Sequence, residues 1–209
     1  MMLTAGPQPA DARLTMIVLH GRGASAEDIL GLAAELEARD VAYLAPDANG
    51  RSWYPYSFLA PLEQNEPQLS AALDTVADLV KTLTAAGLPT SRIAFLGFSQ
   101  GACLSLEYAA RNATRYAGVF GLSGGLIGPP GTPRNYPGTL DGTPVLLGCS
   151  DVDPHIPLER VRESAEVFRR MGAAVDERIY PRMGHTVNRD EIAAIDAALR
   201  QIPPRESMR

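Results

Sequence analysis

Cysteine is scarce in this chain, with Cys103 and Cys149 the only two in 209 residues and no CxxC pairing between them. That excludes a disulfide scaffold and gives no zinc or dithiol redox motif. Both read as reduced, buried small hydrophobes, as expected in a cytosolic compartment. Basic residues are not in excess: 19 Lys and Arg stand against 24 Asp and Glu, a net charge of -5. Such a balance argues against a partner that is nucleic acid or an anionic membrane. No apolar run approaches the roughly 20 residues needed to span a bilayer, so no stable membrane insertion is expected. The opening MMLTAGPQPADARL lacks the basic and then apolar stretches of a secretory leader, and the expectation is a cytoplasmic protein. No repeat, linker or change of composition divides the chain. What is present, 45% hydrophobic residues over this length, suits one domain over residues 1–209, with an irregular N-terminal segment over 1–13.

Short apolar runs alternate with helical periodicity. Strands are expected over 15–19, 41–45, 93–96, 116–120, 145–147 and 174–180. Between them, helices are expected over 26–38, 69–83, 102–111, 158–171 and 189–199. In the longest, Leu69, Leu73, Val76, Val80 and Leu83 recur at steps of three and four, and Gly87 and Pro89 follow. Residues 46–65 and 123–142 read as loops. Strands that are apolar almost throughout, separated by helices, imply an α/β fold: a mostly parallel sheet in a three-layer α/β/α sandwich.

The sharpest local signal is Gly97-Phe98-Ser99-Gln100-Gly101, set between the apolar run IAFL and a helical run. A nucleophile elbow has this form: a serine on a tight strand-to-helix turn, its hydroxyl projecting from the carboxyl edge of the sheet. The pattern occurs a second time, as Gly121-Leu122-Ser123-Gly124-Gly125, but LIGPPGTPRNYPG follows it and cannot form a helix. Ser123 therefore reads as a tight turn at a strand end, and Ser99 as the nucleophile.

A serine needs a base. Of the three histidines, His20 precedes Ser99 and His155 lies within SDVDPHIP. His185 alone follows the last strand, where the order Ser, acid, His of α/β-hydrolases places the base. The acid belongs after the preceding strand, where Asp151 and Asp153 compete. Asp153, backed by Pro154, is favoured, and Asp151 reads as a turn former. The oxyanion hole of such enzymes takes one N–H from the residue after the nucleophile, here Gln100, and one from the loop after an early strand. In His20-Gly21-Arg22-Gly23 the donor is Arg22, with His20 steadying the loop. The Arg22 side chain is expected to form an ion pair with an acidic neighbour, or else to attract a carboxylate-bearing substrate.

With HGRG, GFSQG, SDVDP and GH in this order, the chain resembles the phospholipase/carboxylesterase family, the acyl-protein-thioesterase-like serine hydrolases, from Thr15 to about Leu199. The resemblance implies a compact α/β-hydrolase fold and a triad of Ser99, Asp153 and His185; with 46–65 and 123–142 the only sizeable loops, no large lid domain is expected. The resemblance further implies oxyanion donors at Arg22 and Gln100, no cofactor or metal, a small-molecule ester as substrate, and often a homodimer. Family members commonly carry an apolar residue where Arg22 stands.

An open groove is expected, lined by Trp53, Tyr54, Phe58, Leu59, Leu126, Ile127 and Ile156 and suited to short or medium acyl or aryl esters, thioesters included. Dienelactone-hydrolase-like, lysophospholipase or peptidase activity on the same fold, and a non-catalytic ligand-binding relative, are the alternatives.

Overall fold

In a computed structural model, described over residues 1–204, seven strands form one sheet in the order β1-β3-β2-β4-β5-β6-β7. The strands are β1 (Met2–Ala5), β2 (Leu14–Leu19), β3 (Val41–Pro46), β4 (Ile93–Phe98), β5 (Gly118–Leu122), β6 (Pro144–Ser150) and β7 (Ala174–Tyr180). The last five residues of the domain expected over 1–209 lie outside the described part. All neighbours pair in parallel except β1, which runs antiparallel to β3 with Met2 opposite Pro46. The N-terminal segment expected to be irregular thus begins as an edge strand. Its partner lies some forty residues away, so the four residues MLTA carry no local sign of it.

The helices are α1 (Ala26–Ala33), α2 (Leu62–Asn65), α3 (Gln68–Ala85), α4 (Gln100–Arg111), α5 (Leu158–Arg170) and α6 (Arg189–Arg200). Alternation along the strands divides the core into two layers. Ile17, Leu19, Phe95 and Val119 face α3, α4 and α5, whereas Leu14, Met16, Val18 and Leu96 face α1 and α6. This is the α/β/α sandwich expected from the sequence.

Helix α1 ends at Ala33, five residues earlier than its periodicity predicts. Past it the N–H groups of Glu35 and Leu36 turn to the Leu32 and Ala33 carbonyls, and the carboxylate of Asp196, on α6, accepts the Glu37 N–H at 3.0 Å. Leu36 remains buried all the same, so the apolar spacing runs on past the helix.

At the start of α6, Asn188 and Glu191 form a reciprocal capping box. Glu191 is fully buried, and a Cβ on Gly148 of β6 would lie 2.1 Å from its Oε1. Only glycine fits between strand and carboxyl. Burial pushes the Glu191 pKa up to about 7; the Asn188 backbone hydrogen bond opposes the shift and Asp190 adds to it. A pKa raised above the unfolded value of 4.5 means that the folded chain holds this proton more tightly. Its contribution is complete below about pH 4.5 and is lost as pH rises through 7, an effect on the order of 3 kcal/mol. The melting temperature should therefore fall between pH 5 and pH 8, and Glu191→Gln should flatten that fall. Parallel curves for the two proteins would show that Glu191 is not the titrating group.

Candidate active site

Strand β4 delivers Ser99 to the carboxyl edge of the sheet. Ser99 stands at the N-cap of α4 with φ 55 and ψ -118, a left-handed backbone that non-glycine residues seldom adopt. Its N–H donates to the Leu122 carbonyl at 2.9 Å, which ties the turn to β5. The flanking glycines are required by close approach. A Cβ on Gly97 would come within 2.2 Å of the Gly101 oxygen, and one on Gly101 within 2.0 Å of the Leu19 oxygen. Strand, turn and helix can pass this closely only without side chains, which leaves Ser99 standing clear above them.

His185 comes from the loop between β7 and α6. Its Nε2 lies 2.9 Å from Ser99 Oγ and its Nδ1 2.7 Å from Asp153 Oδ2. A carboxylate on the Nδ1 side places the proton there, so Nε2 presents a lone pair to the serine hydroxyl. The ring also sits between Phe98 and His155, with centroids 4.9 and 4.8 Å away. Asp153, on the loop after β6, is shielded from solvent. Its Oδ1 accepts the N–H groups of His155 and Ile156 at 2.8 and 3.1 Å. Burial alone would raise its pKa. The hydrogen bond from His185 and those two amides outweigh that cost and hold the carboxyl below the usual range. Cys149 lies behind it, Sγ 3.8 Å from Oδ2; burial and the nearby carboxylate push the thiol up to about 12, so it stays protonated.

Asp151 is exposed and serves the backbone, its Oδ1 accepting the Arg182 N–H at 2.7 Å. Ser123 is fully buried, its N–H tied to the Gly148 carbonyl at 2.7 Å. His20 is buried too. Its Nε2 accepts the Ala48 N–H at 3.1 Å and its Nδ1 faces the Gly21 carbonyl at 2.7 Å, so it braces the loop that holds Arg22.

A cavity of about 410 Å³ opens over Ser99 and His185. Arg22 and Gln100 border it, and among the described residues neither of their amide hydrogens is taken up by a backbone carbonyl. The Arg22 side chain makes no ion pair among the described residues, contrary to the sequence expectation. It donates instead to the carbonyls of Pro55 and Tyr56, at 2.7 and 2.6 Å. The Gln100 side chain clasps the same segment, accepting from the Trp53 N–H at 2.9 Å and donating to the Tyr54 carbonyl at 2.8 Å. From the far side, buried Asn65 accepts the Tyr56 N–H and donates to the Ser57 carbonyl, both at 2.9 Å.

Of the side chains expected to line the groove, Tyr54, Phe58 and Ile156 do so, whereas Trp53, Leu59, Leu126 and Ile127 do not. Trp53 is turned inward, its indole N–H on the His20 carbonyl at 2.9 Å. Leu59 packs against the core. Leu126 and Ile127 are fully buried, and charged and polar side chains hold their backbone. Arg160 and Arg134 donate to their two carbonyls, while Ser164 and Glu107 accept their N–H groups. His155, Tyr56 and Cys103 line the cavity without having been singled out for it. The position of His155, two residues after Asp153, was the available signal. Among the described residues no cluster of three or more His, Cys, Asp or Glu is placed to hold a metal ion, and no helix is long and apolar enough to cross a membrane.

The sequence pattern of the Phospholipase/Carboxylesterase family matches residues 6–202. The chain belongs to the phospholipase/carboxylesterase family. It is 31% identical over 138 residues to acyl-protein thioesterase 1 of Gibberella zeae, a match spanning 61% of this chain and 56% of that relative. With acyl-protein thioesterase 1 of Emericella nidulans it shares 28% identity over 92% of each chain. The crystal structure of a phospholipase/carboxylesterase from Dyadobacter fermentans superposes with a TM-score of 0.92, at 42% identity and 96% coverage of both chains. Membership of the phospholipase/carboxylesterase family makes this chain an enzyme of the esterase kind on an α/β-hydrolase fold.

Proposed function

We propose that this enzyme hydrolyses carboxylic esters through an acyl-enzyme on Ser99. The observation that carries the reading is the unbroken hydrogen-bonded line from Ser99 Oγ through His185 to Asp153. In the first step His185 Nε2 takes the serine proton as Oγ attacks the ester carbonyl, and Asp153 stabilises the imidazolium that forms. The free amides of Arg22 and Gln100 receive the developing oxyanion, at about 3 kcal/mol per donor. Collapse expels the alcohol, which takes its proton from His185, and leaves the acyl group on Ser99. A water, deprotonated by the same histidine, then attacks the acyl carbonyl, and its collapse releases the acid and restores Ser99.

Thioesters fit the same steps with a thiol as leaving group, and the acyl-protein thioesterase relatives favour including them. The substrate is a small molecule because the cavity, at about 410 Å³, is modest and, among the described residues, no lid domain covers it. Turnover of p-nitrophenyl esters from acetate to palmitate tests this. Rates should peak at short or medium chains and fall at least about tenfold by palmitate, since the cavity cannot take up a long chain. Equal rates across the series would refute the chain-length part.

A further inference from the structure

We propose that the site selects esters that carry a second, anionic carboxylate a few bonds from the scissile carbonyl, and that the Arg22 guanidinium is the group that selects them. This rests on the esterase reading above and narrows its substrate class.

Three observations support it. First, although the chain has a net charge of -5, no Asp or Glu lines the cavity over Ser99, and Arg22 is the one side chain there with a permanent charge. Asp153, bonded to the far side of His185, is shielded from solvent. Second, the guanidinium is not neutralised. Among the described residues it forms no ion pair, and its two hydrogen bonds go to the carbonyls of Pro55 and Tyr56. A guanidinium has five N–H groups, so about three remain for a ligand. Third, those two bonds orient the planar fork from one side and hold it at the cavity wall, so little side-chain freedom is lost when an anion binds. A cation held by neutral carbonyls beside a reacting centre is matched by a carboxylate, which accepts charge-assisted hydrogen bonds in the same plane.

The test compares monoethyl succinate, glutarate and adipate with ethyl butyrate, valerate and hexanoate, pairs that differ in a carboxylate for a terminal methyl. Turnover is followed by ethanol release near pH 7.5, for the wild type, Arg22→Gln and Arg22→Lys. In the wild type at least one half-ester should exceed its neutral partner in kcat/KM by about tenfold, and added NaCl should erode that ratio. Arg22→Gln should bring the ratio to about one or lower. Arg22→Lys, which keeps the charge but not the fork, should retain much of it. A wild type that prefers every neutral ester, or variants that lose both classes in equal proportion, would reduce Arg22 to a brace for residues 55–56 and overturn the proposal. Failure of the esterase reading looks different: no ester of either class is turned over, and Ser99 is not labelled by a fluorophosphonate.

Discussion

Ser99→Ala should lower kcat on an activated ester by about ten-thousand-fold or more, the loss expected when the nucleophile of such a constellation is removed. Fluorophosphonate labelling should disappear with it. Folding should be untouched, because among the described residues the hydroxyl is bonded to His185 alone and the turn is held by backbone bonds and by the close contacts of Gly97 and Gly101. Residual turnover would come from the Arg22 and Gln100 amides, which remain in place. Peptide mapping of the labelled wild type supplies the control. The modified peptide should contain Ser99 and not Ser123, whose side chain has no access to solvent. A label on Ser123, or undiminished turnover by Ser99→Ala, would end the assignment.

Asp153→Asn should cost about ten-thousand-fold in kcat, by loss of charge rather than of shape. The amide can still accept the N–H groups of His155 and Ile156, so the loop should keep its form. It could not offset the positive charge that His185 would acquire in the proposed mechanism, and it can present an N–H where an acceptor is needed. Asp151→Asn tests the competing carboxylate. Its partner is the Arg182 backbone, so the expected loss is under about tenfold, within the range of a surface turn residue. Comparable losses in the two variants would undo the distinction. The Asp153 pKa lies below its unfolded value of 3.8, so the carboxylate's contribution to stability is in force above about pH 4. It is lost as pH falls through the depressed value, the opposite direction to Glu191.

Features written in consecutive residues were legible in the sequence, and features made by distant partners were not. The elbow is local: an apolar strand, two glycines around a serine, and a helix. The order of Ser99, Asp153 and His185 along the chain reflects the parallel sheet, which brings successive strand ends to one edge. Side-chain direction in the loops was harder. Leu126 and Ile127 look from their residue type like groove walls. Arg160, Arg134, Ser164 and Glu107 hold their backbone inside, and nothing within GGLIG announces those partners. The same holds for Trp53, whose acceptor is 33 residues earlier, and for β1, whose pairing depends on β3.

Every tie that Arg22, Gln100 and Asn65 make to residues 53–57 ends on a backbone N–H or C=O, none on a side chain of that segment. Of the five, Pro55, Tyr56 and Ser57 are exposed at the rim. The rim is thus a mounted frame whose facing tiles are interchangeable. Divergence, or a designer's library confined to those three positions, can regrade which acyl groups are admitted while the reacting centre keeps its alignment.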